Sequence, residues 1–356
     1  MSILGKDLWK NDSAMIDFWY NGTRNARTET DPMYIITGAT GHIGNTLARL
    51  FSDRKIPFKI LARQSGPALE SLQCPMVFGD IFDPDFLSRE VEPGDVFFHL
   101  AGMIDLTNKH RQELFAVNDL GTRRIADFCL KNRVRLVYTS STDAIYKPDP
   151  HAVITEPTTL YPERFSSDYA ASKAAGTLYV HRLMNESGLD AVILYPSAVI
   201  GVNDYKPSAA GKEIQNCSSR RLFFYIKGGY NFIDVRDAAE AILQAGLKPV
   251  RGSYLVTGYP MTIRDLYQSI AQLLNKKVFL VRVPVWLARL GAMFLHDVSP
   301  TMVEALLDNS RFDNSKMRRD LLPQLRPFSE TLRDTIEWFR DHPSDESRAG
   351  KKGRSK

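Results

Sequence analysis

Short apolar runs recur along the first two thirds of the chain. They fall at 33–37 (MYIIT), 57–62 (PFKILA), 77–78, 96–100 (VFFHL), 135–138 (RLVY) and 191–195 (AVILY). Each is too short for a buried helix and is rich in β-branched and aromatic residues, so each predicts a strand. Between them, 45–53, 117–132 and 169–187 place apolar residues at helical period. Strands that are apolar at every position, rather than at alternate ones, are buried on both faces. Strands joined through helices run parallel. The pattern therefore predicts an α/β fold: a doubly wound parallel sheet with helices on both sides.

Beyond residue 196 the pattern loosens. A loop region rich in Gly, Ser and Asn covers 201–219, followed by a strand at 233–235, a helix at 236–247, a strand at 254–256 and a capped amphipathic helix at 262–274. The expected organisation is an N-terminal extension at 1–31, a sheet domain at 32–195 to which 232–257 returns, a smaller interleaved α/β substrate region at 196–340, and a basic tail at 341–356. No internal repeat is visible. The most membrane-like stretch, 285–295, is short and broken by Arg289, which predicts a buried or amphipathic helix rather than a membrane anchor.

Composition narrows the function. The 356 residues are 44% hydrophobic and 24% charged, an ordinary globular mixture. Lys plus Arg (46) barely exceeds Asp plus Glu (41), too small an excess to argue nucleic-acid binding. The three cysteines, Cys74, Cys129 and Cys217, form no CxxC pair, which points away from zinc ribbons and disulfide frameworks and towards a reducing compartment. No run reaches the 18 or so apolar residues of a membrane span, and the first thirty residues lack the apolar core of a secretory signal. A cytoplasmic location is the expectation.

The first strand runs directly into Thr37-Gly38-Ala39-Thr40-Gly41-His42-Ile43-Gly44, and a helix follows. In TGxxGxxG at that position, one glycine makes the tight turn, one admits a pyrophosphate and one lets the helix pack on the strand. The helix N-terminus supplies N–H donors to the phosphates. The second strand ends in Arg63, where an NAD site would carry a carboxylate for the ribose. A guanidinium there suits a 2′-phosphate and favours NADP, with NAD as the alternative. Asp80, after the third strand, is placed to accept a hydrogen bond from an adenine amino group.

Tyr169-Ala170-Ala171-Ser172-Lys173 is YxxxK on a predicted helix, so phenol and ammonium share one face. The ammonium favours the phenolate, which makes the tyrosine usable as an acid or base near neutrality. Tyr138-Thr139-Ser140-Ser141-Thr142 closes the fifth strand, where parallel sheets present groups to ligands. Asn118, on the preceding helix, is placed to hold a water that links the lysine to solvent.

Together these segments resemble the extended short-chain dehydrogenase/reductase superfamily. The resemblance rests on TGATGHIG (37–44), Gly79-Asp80, His99-Leu100-Ala101-Gly102, Asn118 with Gly121-Thr122, TSST (139–142) and YAASK (169–173). It extends through NFIDVRDAAEAI (231–242) and Phe312-Asp313-Asn314-Ser315-Lys316, and so covers about residues 33–340. The nearest flavour is the dihydroflavonol-reductase-like and 3β-hydroxysteroid-dehydrogenase-like branch, alongside sugar-nucleotide epimerases. The resemblance implies a Rossmann domain that binds NAD(P), a C-terminal substrate domain and a homodimer. It implies Tyr169 as acid/base, Lys173 as its partner and ribose ligand, Thr142 as the hydroxyl that orients substrate, and Asn118 beside them. The cofactor lining it implies is Gly38, Thr40, Gly41, His42, Ile43, Gly44, Arg63, Asp80, Ile81, Leu100, Ala101, Gly102, Lys173, Tyr195 and Pro196. Tyr195 stands where the family often has arginine before the proline, and Thr142-Asp143-Ala144 lacks the glutamate that dehydratases need for eliminating water.

The expected function is therefore hydride transfer between a nicotinamide and a ketone or alcohol carbon. A nucleotide-sugar 4-epimerase using the same residues is the alternative, with Arg220, Arg221 and Lys206 available to a diphosphate. A cofactor-sensing protein without chemistry is a third reading. Phe223, Phe224, Tyr225, Trp286 and Phe294 are candidates for an apolar cavity or for the core.

Overall fold

The computed structural model describes residues 32–343, apart from 148, 150, 151, 158, 293–299 and 308–310. The predicted extension at 1–31, most of the basic tail and Phe294 lie outside the described residues. In chain order the strands are β1 (Tyr34–Thr37), β2 (Phe58–Ala62), β3 (Met76–Phe78), β4 (Val96–His99), β5 (Arg135–Thr139), β6 (Val153–Ile154) and β7 (Ala191–Pro196). There follow β8 (Ala198–Ile200), β9 (Leu222–Tyr225), β10 (Gly229–Asp234), β11 (Gly252–Val256), β12 (Tyr259–Thr262), β13 (Phe279–Arg282) and β14 (Arg311–Phe312).

Seven strands form one sheet in the order β11-β7-β5-β4-β1-β2-β3. Every pairing in it is parallel. Burial explains the continuous apolar runs. On β1, Ile36 enters a core with Leu47, Phe51, Phe98, Ile242 and Val256. Its neighbour Ile35 enters the opposite core with Phe97, Ile125, Leu136, Tyr138 and Ile193. Successive side chains thus feed two different layers, and both must be apolar. The strand order reverses between β1 and β4, the crevice in which open α/β sheets bind ligands.

The return to this sheet is narrower than the sequence suggests. Helix Val235–Leu247 and β11 rejoin it, but β10 pairs with β8 and β12 in a separate three-stranded sheet. The strand expected at 233–235 ends at Asp234 because the Asp234 carboxylate accepts from the Arg236 backbone N–H (2.7 Å) and caps the helix that starts at Val235. The C-terminal region has its own core, in which Ile200, Ile214, Phe223, Phe232, Tyr267, Ile270 and Leu332 meet. Among the described residues no helix is long and apolar enough to cross a membrane.

Candidate functional site

The glycine loop lies at the switch point. Gly38 has φ +80, and a Cβ there would fall 2.5 Å from the backbone of Leu100 and Ala101 at the end of β4. Only glycine allows both that conformation and that approach. A Cβ on Gly44 would meet the Gly38 carbonyl at 2.3 Å, so the helix His42–Asp53 rests directly on the loop. Gly41 caps this helix with extended backbone and no side-chain hydrogen bond, leaving first-turn N–H groups for a ligand. Thr40 and Gly41 are exposed. A cradle that any Cβ would fill, beside uncapped donors, fits a dinucleotide pyrophosphate.

The remaining cofactor candidates divide. Leu100, Ala101 and Gly102 continue from β4 along the same crevice, and a Cβ on Gly102 would stand 3.0 Å from Lys173 Nζ. Arg63 follows β2 and is exposed. Asp80 caps its own loop by accepting from the Phe82 N–H (2.9 Å), and Ile81 packs beside Gly121. The His42 ring turns away from the loop. It bonds the Val202 carbonyl through Nε2 (2.8 Å) and lies 4.0 Å from Asp204, and burial lowers its pKa. The Tyr195 side chain is fully buried on the far side, its hydroxyl 3.0 Å from His181 Nε2. For His42, Tyr195 and the adjoining Pro196, only the backbone remains for a cofactor.

Beside the crevice the helix Asp168–Glu186 carries Tyr169 and Lys173 on one face, both buried. Ser167 caps it by accepting from the Ala170 N–H (3.3 Å). Lys173 Nζ donates to the Thr139 carbonyl at the end of β5 (3.1 Å) and stands 5.5 Å from the Tyr138 ring centre. Burial lowers its pKa to about 8. The Tyr169 phenol has its pKa raised, first by burial and then by the Asp143 carboxylate, against a hydrogen bond from Ser141. β5 ends at Thr139, so Thr142 does not close the strand. It opens a 3₁₀ turn, Thr142–Ala144, held by Ser141 Oγ accepting from the Asp143 N–H (3.1 Å).

Asn118 is completely buried, and its helix is not uniform. Arg111–Phe115 is α-helical, Ala116–Gly121 is a π-helical segment, and Thr122–Asn132 resumes the α-helix. The helix expected at 117–132 thus starts earlier and carries a bulge, a feature frequent at functional sites. Asn118 Nδ2 donates to the Met103 carbonyl (2.9 Å) and to Ser172 Oγ (3.0 Å), while Oδ1 accepts from the Met103 N–H (2.9 Å). Lys173 and Asn118 thus meet at Gly102, and the turn that Thr142 opens brings its neighbours Ser141 and Asp143 to the Tyr169 phenol.

Sequence reasoning missed several neighbours. Asp143 and Ser141 act on the phenol, and Ser172 links Asn118 to the helix by donating to the Tyr169 carbonyl (2.9 Å). His99, buried, lies 3.0 Å from Thr37 Oγ1 and 3.3 Å from Thr122 Oγ1 and stacks on Tyr138. Burial and the charge of Lys173 lower its pKa to about 3. A small cavity beside Thr142 is lined by Asp143, Lys147, Ser197, Tyr230, Asn231 and Phe312. The buried Ser197 hydroxyl has no hydrogen-bond partner among the described residues. The aromatic candidates are elsewhere: Phe223 is core, while Phe224 and Trp286 are exposed and do not line this cavity.

A dinucleotide-binding α/β fold with a Tyr–Lys pair at the carboxyl edge of its sheet is what these elements define. Residues 34–256 match the NAD dependent epimerase/dehydratase family, and the chain belongs to that family. It is similar to sterol demethylase protein B of Methylococcus capsulatus (29% identical over 326 residues, 86% of this chain and 98% of the relative). It is also similar to a putative dihydroflavonol 4-reductase of Synechocystis (29% over 328 residues, 87% and 95%). Among solved structures it resembles the crystal structure of gox2253, with a TM-score of 0.76, 26% identity, and 88% of this chain and 99% of that one covered.

Proposed function

We propose that this protein is an NAD(P)-dependent oxidoreductase acting on a ketone or secondary alcohol, with NADP(H) as the preferred cofactor. One observation carries the reading: three separate segments come together, with Lys173 and Asn118 meeting at Gly102 beyond the glycine cradle and the turn opened by Thr142 bringing Ser141 and Asp143 to the Tyr169 phenol. The nicotinamide supplies or accepts the hydride. In oxidation Tyr169 takes the hydroxyl proton as the carbinol carbon loses hydride, and in reduction it returns that proton to the new alkoxide. Thr142 and Ser141 orient the oxygen. Lys173 reaches the ribose and favours the phenolate, and Asn118 fixes the backbone at Met103 and the turn that carries Ser172. Exposed Arg63 after β2 supports the preference for the 2′-phosphate. The cavity beside Thr142 pairs one cation, Lys147, with one carboxylate, Asp143. Similarity to a sterol demethylase component and a putative dihydroflavonol reductase supports a hydrophobic polycyclic ketone or alcohol.

The test is Tyr169→Phe, assayed with cyclic ketones and alcohols and with UDP-sugars, following both NADPH absorbance and sugar products. Turnover is expected to fall roughly 10²–10⁴-fold while cofactor affinity holds. Near-normal turnover in the variant rules out the phenol as acid/base. Sugar inversion without net NADPH change replaces the oxidoreductase reading with the epimerase. A homodimer is part of the same proposal. Leu120 and Leu178, on the two helices beside the site, are exposed and suited to pairing helices. Sedimentation velocity decides it: a 40 kDa species at every concentration rejects the dimer.

A further inference from the structure

The outer surface of the C-terminal region is built unlike the rest of the molecule. β9 and β13 pair in parallel, with Leu222 opposite Phe279 and Phe224 opposite Val281. Side chains alternate between faces, so Phe223 and Leu280 point inward to Tyr267 and Ile270. Leu222, Phe224, Phe279 and Val281 all point outward. A sheet with one face in water carries polar residues on that face, and here every outward position before Arg282 is a large apolar residue. Two residues later, helix Val285–Ala292 lays Ala288 and Ala292 against Ile226 and Val303. Its other side presents Trp286, Leu287 and Leu290. Phe279 is 70% exposed, Trp286 68% and Phe224 61%. The stretch expected to be buried or amphipathic has one packed side and an outer side on which only Arg289 is polar; 293–295 lie outside the described residues.

The two segments that form this face carry charges of one sign, and the acid beside them, Glu304, lies on the neighbouring helix. Residues 220–229 and 275–292 contain Arg220, Arg221, Lys227, Lys276, Lys277, Arg282 and Arg289, with no Asp or Glu. Arg289 pairs with Glu304 of the neighbouring helix (2.8 Å).

We propose that this face docks on an anionic lipid bilayer, with Phe224, Phe279, Trp286 and their apolar neighbours entering the interface and the surrounding cations meeting the head groups. Buried apolar area plus attraction to anionic lipid is what holds a monotopic surface, and tryptophan is enriched at that depth. A second copy is the other occupant of an apolar patch. Two-fold pairing would set the patch against itself and bring like cations together, which disfavours it.

The experiment is flotation of the full chain with vesicles of phosphatidylcholine alone and of phosphatidylcholine mixed with phosphatidylglycerol. The chain is expected to float with the mixed vesicles, to leave them at high salt, and to float poorly with phosphatidylcholine alone. Tryptophan emission should shift to the blue on binding, and Trp286→Phe should remove that shift. The triple change Lys276→Gln, Lys277→Gln, Arg282→Gln is expected to weaken binding roughly a hundredfold. The triple change Phe224→Ser, Phe279→Ser, Trp286→Ser should abolish it. Lys276 donates to the Cys217 carbonyl (3.4 Å) and the other side chains are well exposed, so an unchanged melting temperature is expected of the apolar variant and serves as its control, while the cation variant is judged by flotation at temperatures where its melt shows it folded. Three results overturn the proposal: no flotation with either vesicle, flotation that both triple variants leave intact, or a soluble dimer dispersed by the apolar variant with no flotation.

Discussion

Gly176 sits in the middle of the helix that carries Tyr169 and Lys173. By propensity, alanine there should stabilise the helix by about 1 kcal/mol. The structure reverses that expectation. A Cβ on Gly176 would fall 2.3 Å from the Asn118 carbonyl oxygen and 3.3 Å from Asp119 Cα and Thr122 Cβ. Carbon and carbonyl oxygen normally approach to about 3.3–3.6 Å, so about 1 Å of movement is required. The nearest obstacle is backbone of the π-helical segment, which cannot swing aside as a side chain would. Overpacking of this kind costs about 1–3 kcal/mol. Net of the propensity gain, Gly176→Ala should destabilise by up to about 2 kcal/mol, a fall of several degrees in melting temperature. Activity should suffer more than stability. The same two segments hold Lys173 against Thr139 and Asn118 against Ser172, and displacing a catalytic group by about 1 Å can cost on the order of a hundredfold. Thermal melting and turnover, measured on the same preparation, check this. A variant that melts at or above the wild type with full turnover refutes the close contact and with it the role given to the bulge.

Two further outcomes are expected. Arg63→Ala should weaken NADP(H) binding and leave NAD(H) binding nearly unchanged; titration of both cofactors reads it, and an equal loss for both contradicts the 2′-phosphate role. His99 titrates at about 3 when folded, against an ordinary value of 6.5, so the unfolded chain binds its proton first as pH falls. Its contribution to stability is complete above pH 6.5 and is lost towards pH 3, with a slope of up to about 1.4 kcal/mol per pH unit. Denaturant melts at pH 6 and pH 5 should lose that slope in His99→Gln, and an unchanged slope would place the proton elsewhere.

What the sequence disclosed follows from burial. β1, β4, β5 and β7 are covered on both faces, so their apolar runs are unbroken and their bounds are legible nearly to the residue. The glycine loop was legible because Gly38 and Gly44 answer steric demands that no other residue meets. The Tyr169–Lys173 pair was legible because one helical turn fixes their relation. The rest depended on contacts between distant segments. Thr142 was expected at a strand end, but the 3₁₀ turn that places it is held by Ser141 and the Asp143 N–H. The π-helical segment has no local signature, because it answers the packing of Gly176 against Asn118, 58 residues away. Phe223 and Phe224 look alike in sequence, and only the register of β9 on β13 sends one to the core and the other to the surface. Ser197, Tyr230 and Phe312 meet Thr142 from three separate loops and strands, so the cavity could not be read ahead of the fold.

The protonation of the free site favours one direction of the reaction. Burial raises the Tyr169 pKa and lowers that of Lys173 to about 8, and Asp143 reinforces the first shift. Near neutrality the free protein therefore holds a phenol with its proton and an ammonium beside it. That is the state needed to protonate an alkoxide, so reduction requires no prior proton loss. Below pH 8 its kcat/KM should be nearly flat. Above pH 8 it should fall, as Lys173 loses the charge that steadies the site. Oxidation needs the phenolate, which burial and Asp143 oppose. Only the positive charge of an oxidised nicotinamide, added to that of Lys173, works in its favour. Oxidation should therefore require cofactor to bind before substrate, and its rate should climb with pH through the range where reduction is level. Initial rates in both directions from pH 6 to pH 10, on wild type and Asp143→Asn, test the argument. Removing the carboxylate should move the oxidation limb to lower pH and leave the reduction plateau in place. An oxidation rate that is level with pH, or a limb that Asp143→Asn does not move, would mean that the phenol is not the group being titrated.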